Sequence, residues 1–203
     1  MSGATELQQA LAEISAIRGQ LARGMEFRGY GPGTLAATGV LALLAAAMQA
    51  LWLNDPSHAV SFYLALWVGT AGVSLTVIAA GTFARARRVH SGLATQLIHA
   101  ALEEFLPPIV AGLLLTVVLW RSAPGTLWLL PGVWQVLFSL GVFSSCRFLP
   151  RPMFAVGLWY LASGLACFAV GGGSHEFSPW LMGVPFGVGQ LLVAAVLQFG
   201  YRH

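Results

Sequence analysis

Residues 34–53 read TLAATGVLALLAAAMQALWL, twenty positions without a charge and with only Thr34, Thr38 and Gln49 polar. A helix rises ~1.5 Å per residue, so about 20 such residues cross the ~30 Å hydrocarbon core of a bilayer. The run has no polar face to turn toward water, and it reads as a membrane span. Five further runs share this character, at 60–83, 105–120, 125–144, 153–172 and 179–200. The third is the shortest, because Pro107 and Pro108 leave little apolar chain before Trp120. Short turn segments separate most of them, such as Asn54-Asp55-Pro56-Ser57 and Ser122-Ala123-Pro124-Gly125.

The whole chain agrees with this stretch. Of 203 residues 57% are apolar and 8% charged, and the mean hydropathy is +0.76. No water-soluble surface carries that composition. It excludes a soluble enzyme, a disordered protein, a disulfide scaffold and a domain that binds nucleic acid directly. Cys146 and Cys167 fall at different membrane depths, out of disulfide reach of one another.

The first 30 residues are a different material. Leu7, Leu11, Ile14, Leu21 and Met25 recur at helical spacing, with Arg18 in one slot of the stripe, while Glu6, Gln8, Gln9, Glu13, Gln20 and Arg23 take the other side. That pattern predicts an amphipathic helix. It lacks the basic start, unbroken apolar core and cleavage site of a signal peptide. Such a helix can lie on the inner leaflet, dock on the protein's own loops or a second copy, or bind a separate cytosolic protein. Gly29, Gly31, Pro32 and Gly33 then break the chain.

Arginine placement sets the expected orientation. All ten basic residues are Arg. With six spans and the amino terminus inside, nine lie on the cytoplasmic side and only Arg121 outside, as the positive-inside rule demands. The expectation is therefore an all-α, polytopic bundle of six transmembrane helices in the plasma or inner membrane. Both termini are cytoplasmic, residues 1–30 form the amphipathic helix, and residues 31–203 form the membrane domain.

A weak internal similarity runs through the second half. Phe105-Leu106-Pro107 and Phe148-Leu149-Pro150 open the third and fifth spans. Trp128-Leu129 and Trp180-Leu181 begin the fourth and sixth, each followed by a proline and a glutamine. A repeated two-helix hairpin in parallel orientation and chance likeness between Gly- and Pro-rich helices both account for it.

The spans are chemically quiet. No Asp, Glu, Arg or His falls in the middle of any of them, whereas ion-coupled transporters and proton pumps place such groups there. Amides, hydroxyls and a thiol remain, and these mostly hydrogen-bond between helices. Gln135 and Gln190 read as standing at similar depths, where they can face one cavity.

Between the second and third spans lies a more pointed segment. Arg85, Arg87, Arg88 and His90 form a basic cluster, and Gly92–Phe105 reads as a short amphipathic helix of its own. His99 and Glu103 share a face of it, with Glu104 beside them. Imidazole plus carboxylate suits zinc, iron or manganese, but a surface His–Glu pair is the simpler account, and no metal or cofactor is expected. On the outer face Asp55, His58, His175 and Glu176 invite the same question and receive the same answer.

No nucleophile with a base, no acid pair and no phosphate-cradling loop appears, so no enzymatic activity is expected. The functional expectation is a sensor or anchor that binds a cytosolic partner through its cytoplasmic surface. Leu7, Leu11, Ile14, Arg18 and Leu21 are its candidate residues on the amino-terminal helix, joined by Arg85, Arg87, Arg88, His99, Glu103 and Glu104. The alternative is a channel, facilitator or transporter membrane subunit for a neutral or lipophilic small molecule, with Gln135 and Gln190 in its cavity. The lipid bilayer is the first partner, and a second copy of the chain is a further one.

Overall fold

In hydrocarbon every backbone N–H and C=O must be satisfied by the chain itself, which leaves the helix as the way for runs like these to cross. The computed structural model describes residues 31–52, 60–88, 92–146 and 151–200. Among them there are six helices long and apolar enough to span a membrane. These are α1 (Pro32–Trp52), α2 (Val60–Arg88), α3 (Gly92–Ser122), α4 (Leu130–Ser145), α5 (Met153–Val170) and α6 (Pro179–Gly200). A 3₁₀ helix, Pro124–Leu129, leads into α4, and the apolar span runs through both from Pro124 to Ser145. No strand occurs among the described residues. The amino-terminal stripe, and with it Leu7, Leu11, Ile14, Arg18 and Leu21, lies outside them.

One element departs from expectation. The segment after Gly92 is no separate helix: α3 runs unbroken for 31 residues, with Pro107 and Pro108 inside it. Two adjacent prolines remove two N–H donors, so the carbonyls of Glu103 and Glu104 lose their helical partners. Those carbonyls lie at the polar end of the span, where water can take the place of the missing donors. The span itself begins at Glu103, not Phe105.

The helices follow chain order around a ring. Each packs on its sequence neighbours and α6 closes on α1, while α2 and α3 barely meet over their length. The tightest seams are α1 on α6 and α4 on α5. Both are built on glycine. A Cβ on Gly39 of α1 would stand 2.9 Å from the Gly187 carbonyl oxygen of α6, and one on Gly132 of α4 would stand 2.8 Å from the Gly164 oxygen of α5. Lipid tails are as apolar as leucine, so helices associate in a bilayer by close packing of this kind rather than by hydrophobicity.

Two ends can be told apart. The arginine end gathers the last turn of α2, the first of α3, the end of α4 and the start of α5. The tryptophan end carries Trp52, Trp120 and Trp180, which are 73, 54 and 52% exposed, as interfacial anchors are. The first two hairpins share a tie near this end. Trp67 Nε1 of α2 donates to Gln49 Oε1 of α1 (2.8 Å), and Trp134 Nε1 of α4 donates to Thr116 Oγ1 of α3 (2.9 Å), each pair 18 residues apart.

Candidate functional site

The polar interior begins with a proline. Pro185 sits inside α6 and has no N–H to give the carbonyl four residues earlier, which is that of Leu181. A carbonyl left bare in the middle of a bundle is costly. Here it is taken up from two other helices: Gln135 Nε2 of α4 donates to Leu181 O at 2.7 Å, and Cys167 Sγ of α5 donates to it at 3.4 Å. Gln135 Nε2 is also 3.3 Å from Cys167 Sγ. One deleted backbone donor thus ties three helices together.

A second layer closes the site toward the tryptophan end. Gln49 of α1, whose Oε1 holds the Trp67 indole, donates through Nε2 to the Phe177 carbonyl at 2.8 Å. Phe177 lies in the turn before α6 with φ of 58°, a conformation a bulky residue rarely adopts. It is held there by that hydrogen bond and by its ring, which meets Tyr63 edge-on at 5.0 Å. Tyr63 of α2 is wholly buried and 6.4 Å from the Trp67 ring. Leu127, Leu130 and Met182 complete the apolar wall.

The hydrogen-bond ledger does not close. Tyr63 Oη and Gln135 Oε1 are buried and find no protein partner. Neither do Tyr160 Oη, Gln190 Oε1 and Thr82 Oγ1.

The two glutamines do not meet in one cavity. Gln135 is level with Leu181, and Gln190 stands nine residues further along α6, about 13 Å at the helical rise. Gln190 lies instead against α1, its Cβ 3.1 Å from where a Cβ on Gly39 would be. What the structure brings to Gln135 is Cys167, which the sequence does not single out as a partner for it. The signal for Cys167 was present, since Pro185 marks the Leu181 carbonyl as needing donors.

At the arginine end Glu104 is half-buried and accepts a hydrogen bond from Ser144 Oγ of α4, while Glu103 is exposed. This couples α3 to α4 just below the projecting part of α3. Arg85, Arg87 and Arg88 occupy the last turn of α2, and His99 lies in the third turn of α3. Cys146, just past α4, is bonded to Val142 O at 3.3 Å, and burial pushes its thiol above the ordinary range. At the other end His175 is exposed and Glu176 half-buried; Asp55 and His58 lie outside the described residues. Among the described residues no group of three His, Cys, Asp or Glu converges as metal ligands would. No family model, curated protein or solved structure matches the chain.

Proposed function

We propose that the protein is a membrane sensor or anchor whose working surface is its arginine end, which faces the cytosol. The supporting observation is that two helices run on past their apolar spans there. The 31-residue α3 contains a 20-residue apolar span, so about 11 residues, ~16 Å of helix, precede it. Arg85–Arg88 extend α2 past its own span in the same direction. The projection is continuous with the span of α3, with Pro107 and Pro108 at the junction, so tilt applied at its tip acts on the membrane part through that proline pair. Its composition, with three arginines on one helix and His99 and Glu103 on the other, offers both signs of charge to a protein partner.

Co-purification from native membranes tests this. A soluble protein should be retained by the full chain, and should rebind once purified. It should be lost on deletion of residues 1–28 and on the triple substitution Arg85→Gln, Arg87→Gln, Arg88→Gln. The same proteins binding to all three forms would refute the reading.

A second reading has one observation in its favour. Unpartnered neutral polar atoms occur at two levels of the bundle, around Gln135 and around Gln190, as a passage for a neutral solute requires. Flux of small neutral solutes into liposomes, lost in Gln135→Leu plus Gln190→Leu, supports this reading; flux equal to that of empty liposomes rejects it.

A further inference from the structure

We propose that the turn between α5 and α6, residues 171–178, is a strap with Phe177 as its hook, and that the hook sets the tilt of α2. This couples the two ends of the bundle. It goes beyond the surface reading and is tested without a partner.

α2 is buried at its ends and not between. Tyr63, Leu64 and Trp67 are buried in its first turns, and Thr82 near its last. From Val68 to Gly81 no residue is buried. The strap makes the pin at the tryptophan end. The Phe177 ring meets Tyr63 edge-on at 5.0 Å. Gln49 accepts from the Trp67 indole through Oε1 and donates to the Phe177 carbonyl through Nε2. Both ends of this buried amide are committed, so α1, α2 and the strap share one link. Withdrawing Phe177 takes the ring from Tyr63 and the acceptor from Gln49 in a single movement. The other pin is apolar: Ile78 packs on the core around Leu35 and Leu197, and the Thr82 hydroxyl has no hydrogen-bond partner. Such contacts hold a helix in place without fixing its direction.

The hook is loaded. A φ of 58° is costly for any residue with a Cβ. Conformations of this kind persist only where the surroundings hold them, and they recur in switch regions. The root of the strap is soft by contrast. Gly172 and Gly173 are exposed, and a Cβ on either would meet nothing within 4 Å. Gly173 has a φ of 67°, which glycine adopts without steric cost. His175 stands exposed on the same turn. A lift applied there lets Phe177 relax, frees the first turns of α2 and allows the helix to swing about Thr82. α2 is unbroken from Val60 to Arg88, so the turn that carries Arg85, Arg87 and Arg88 takes the same tilt.

The test reads distances between spin labels by double electron–electron resonance, on the full chain in lipid nanodiscs with Cys146→Ser and Cys167→Ser. Three pairs of exposed positions carry the labels. Ser61→Cys with Val170→Cys reports on the tryptophan end, Ala84→Cys with Phe154→Cys on the arginine end, and Leu44→Cys with Leu140→Cys on the body of the bundle. A tilt of about 10° about Thr82 moves Ser61, ~32 Å away along the helix, by ~5 Å, and Ala84 by less than about 1 Å. Phe177→Ala removes the ring and should shift the first pair on that scale while leaving the other two in place. Gly173→Val touches no core contact but strains the root, since a β-branched residue resists positive φ. It should add the same displaced population, and it carries the test alone if Phe177→Ala does not fold. An unshifted first pair in either folded variant, or a second or third pair that moves as far as the first, would overturn the proposal.

Discussion

The bundle has two kinds of helix that composition alone does not separate. The spans of α1, α4, α5 and α6 have 39, 44, 33 and 39% of their residues buried, and those of α2 and α3 only 17 and 11%. All six are about equally apolar. The difference lies in whether small residues are matched across a seam. Gly39 meets Gly187, and Gly132 meets Gly164, with backbone against backbone. On α2, Gly69 and Gly72 meet nothing within 4 Å. Gly157 of α5 is close-packed as well, but against the Phe143 ring of α4 rather than a backbone. In a bilayer, hydropathy inserts a helix, and complementary small surfaces and polar ties then decide where it packs.

The sharpest way to break this comparison is to fill a matched seam and an unmatched one with the same residue. In Gly164→Val the Cβ alone would fall 2.9 Å from Gly132 O and 3.1 Å from Val136 N. Both are backbone atoms, so rotating a side chain cannot relieve the clash and α4 must move away from α5. The expected loss is about 1–3 kcal/mol or somewhat more, read as an earlier midpoint in denaturing-detergent titration. Gly72→Val meets no such neighbour, and its midpoint should move by less than about 0.5 kcal/mol. Equal losses in the two variants would erase the distinction between core and flank.

A smaller effect tests the polar tie. Gln135→Leu leaves the Leu181 carbonyl with only the Cys167 thiol, a weak donor, and should cost about 1–3 kcal/mol. Pro185→Ala supplies an N–H to that same carbonyl from within α6. In that background the penalty for Gln135→Leu should shrink, which a double-mutant cycle in the same titration would show as a favourable coupling. Additive losses would mean that Gln135 stabilises the bundle through something other than the bond the proline frees.

The sequence told much about the fold and little about the site, for one physical reason. Insertion depends on local composition, so Pro32–Trp52 and Pro179–Gly200 follow almost directly from runs 34–53 and 179–200. Gly92–Phe105 reads as a separate helix, yet α3 runs on through Pro107 and Pro108, because a proline's cost depends on what else can satisfy the freed carbonyls, and at the polar end of a span water can. The pairing of Gln135 with Gln190 failed through depth. Both follow a Trp-Leu pair and a proline, but Gln135 reaches α6 at its first turns. The convergence of Gln135, Cys167 and the Leu181 carbonyl is a product of how three helices pack, which no single span encodes.

The smallest expected effect is the most diagnostic for the flank. Ala65, Gly69, Gly72, Thr76 and Ala79 recur along α2 at spacings of four and three, and all are exposed. If lipid alone covers this stripe, Gly69→Ala and Gly72→Ala should be neutral or should stabilise α2 slightly, up to about 1 kcal/mol, because alanine loses less backbone entropy than glycine on forming a helix. A methyl group pointing into acyl chains meets nothing that cannot move. A loss of about 1 kcal/mol or more would carry the opposite message, since only a fixed backbone resists one added carbon. The stripe would then be a seam in the assembled membrane, covered by a helix from outside this chain. Crosslinking yield at Ala65→Cys and Thr76→Cys, compared across lipid-to-protein ratios, would show whether that helix belongs to a second copy.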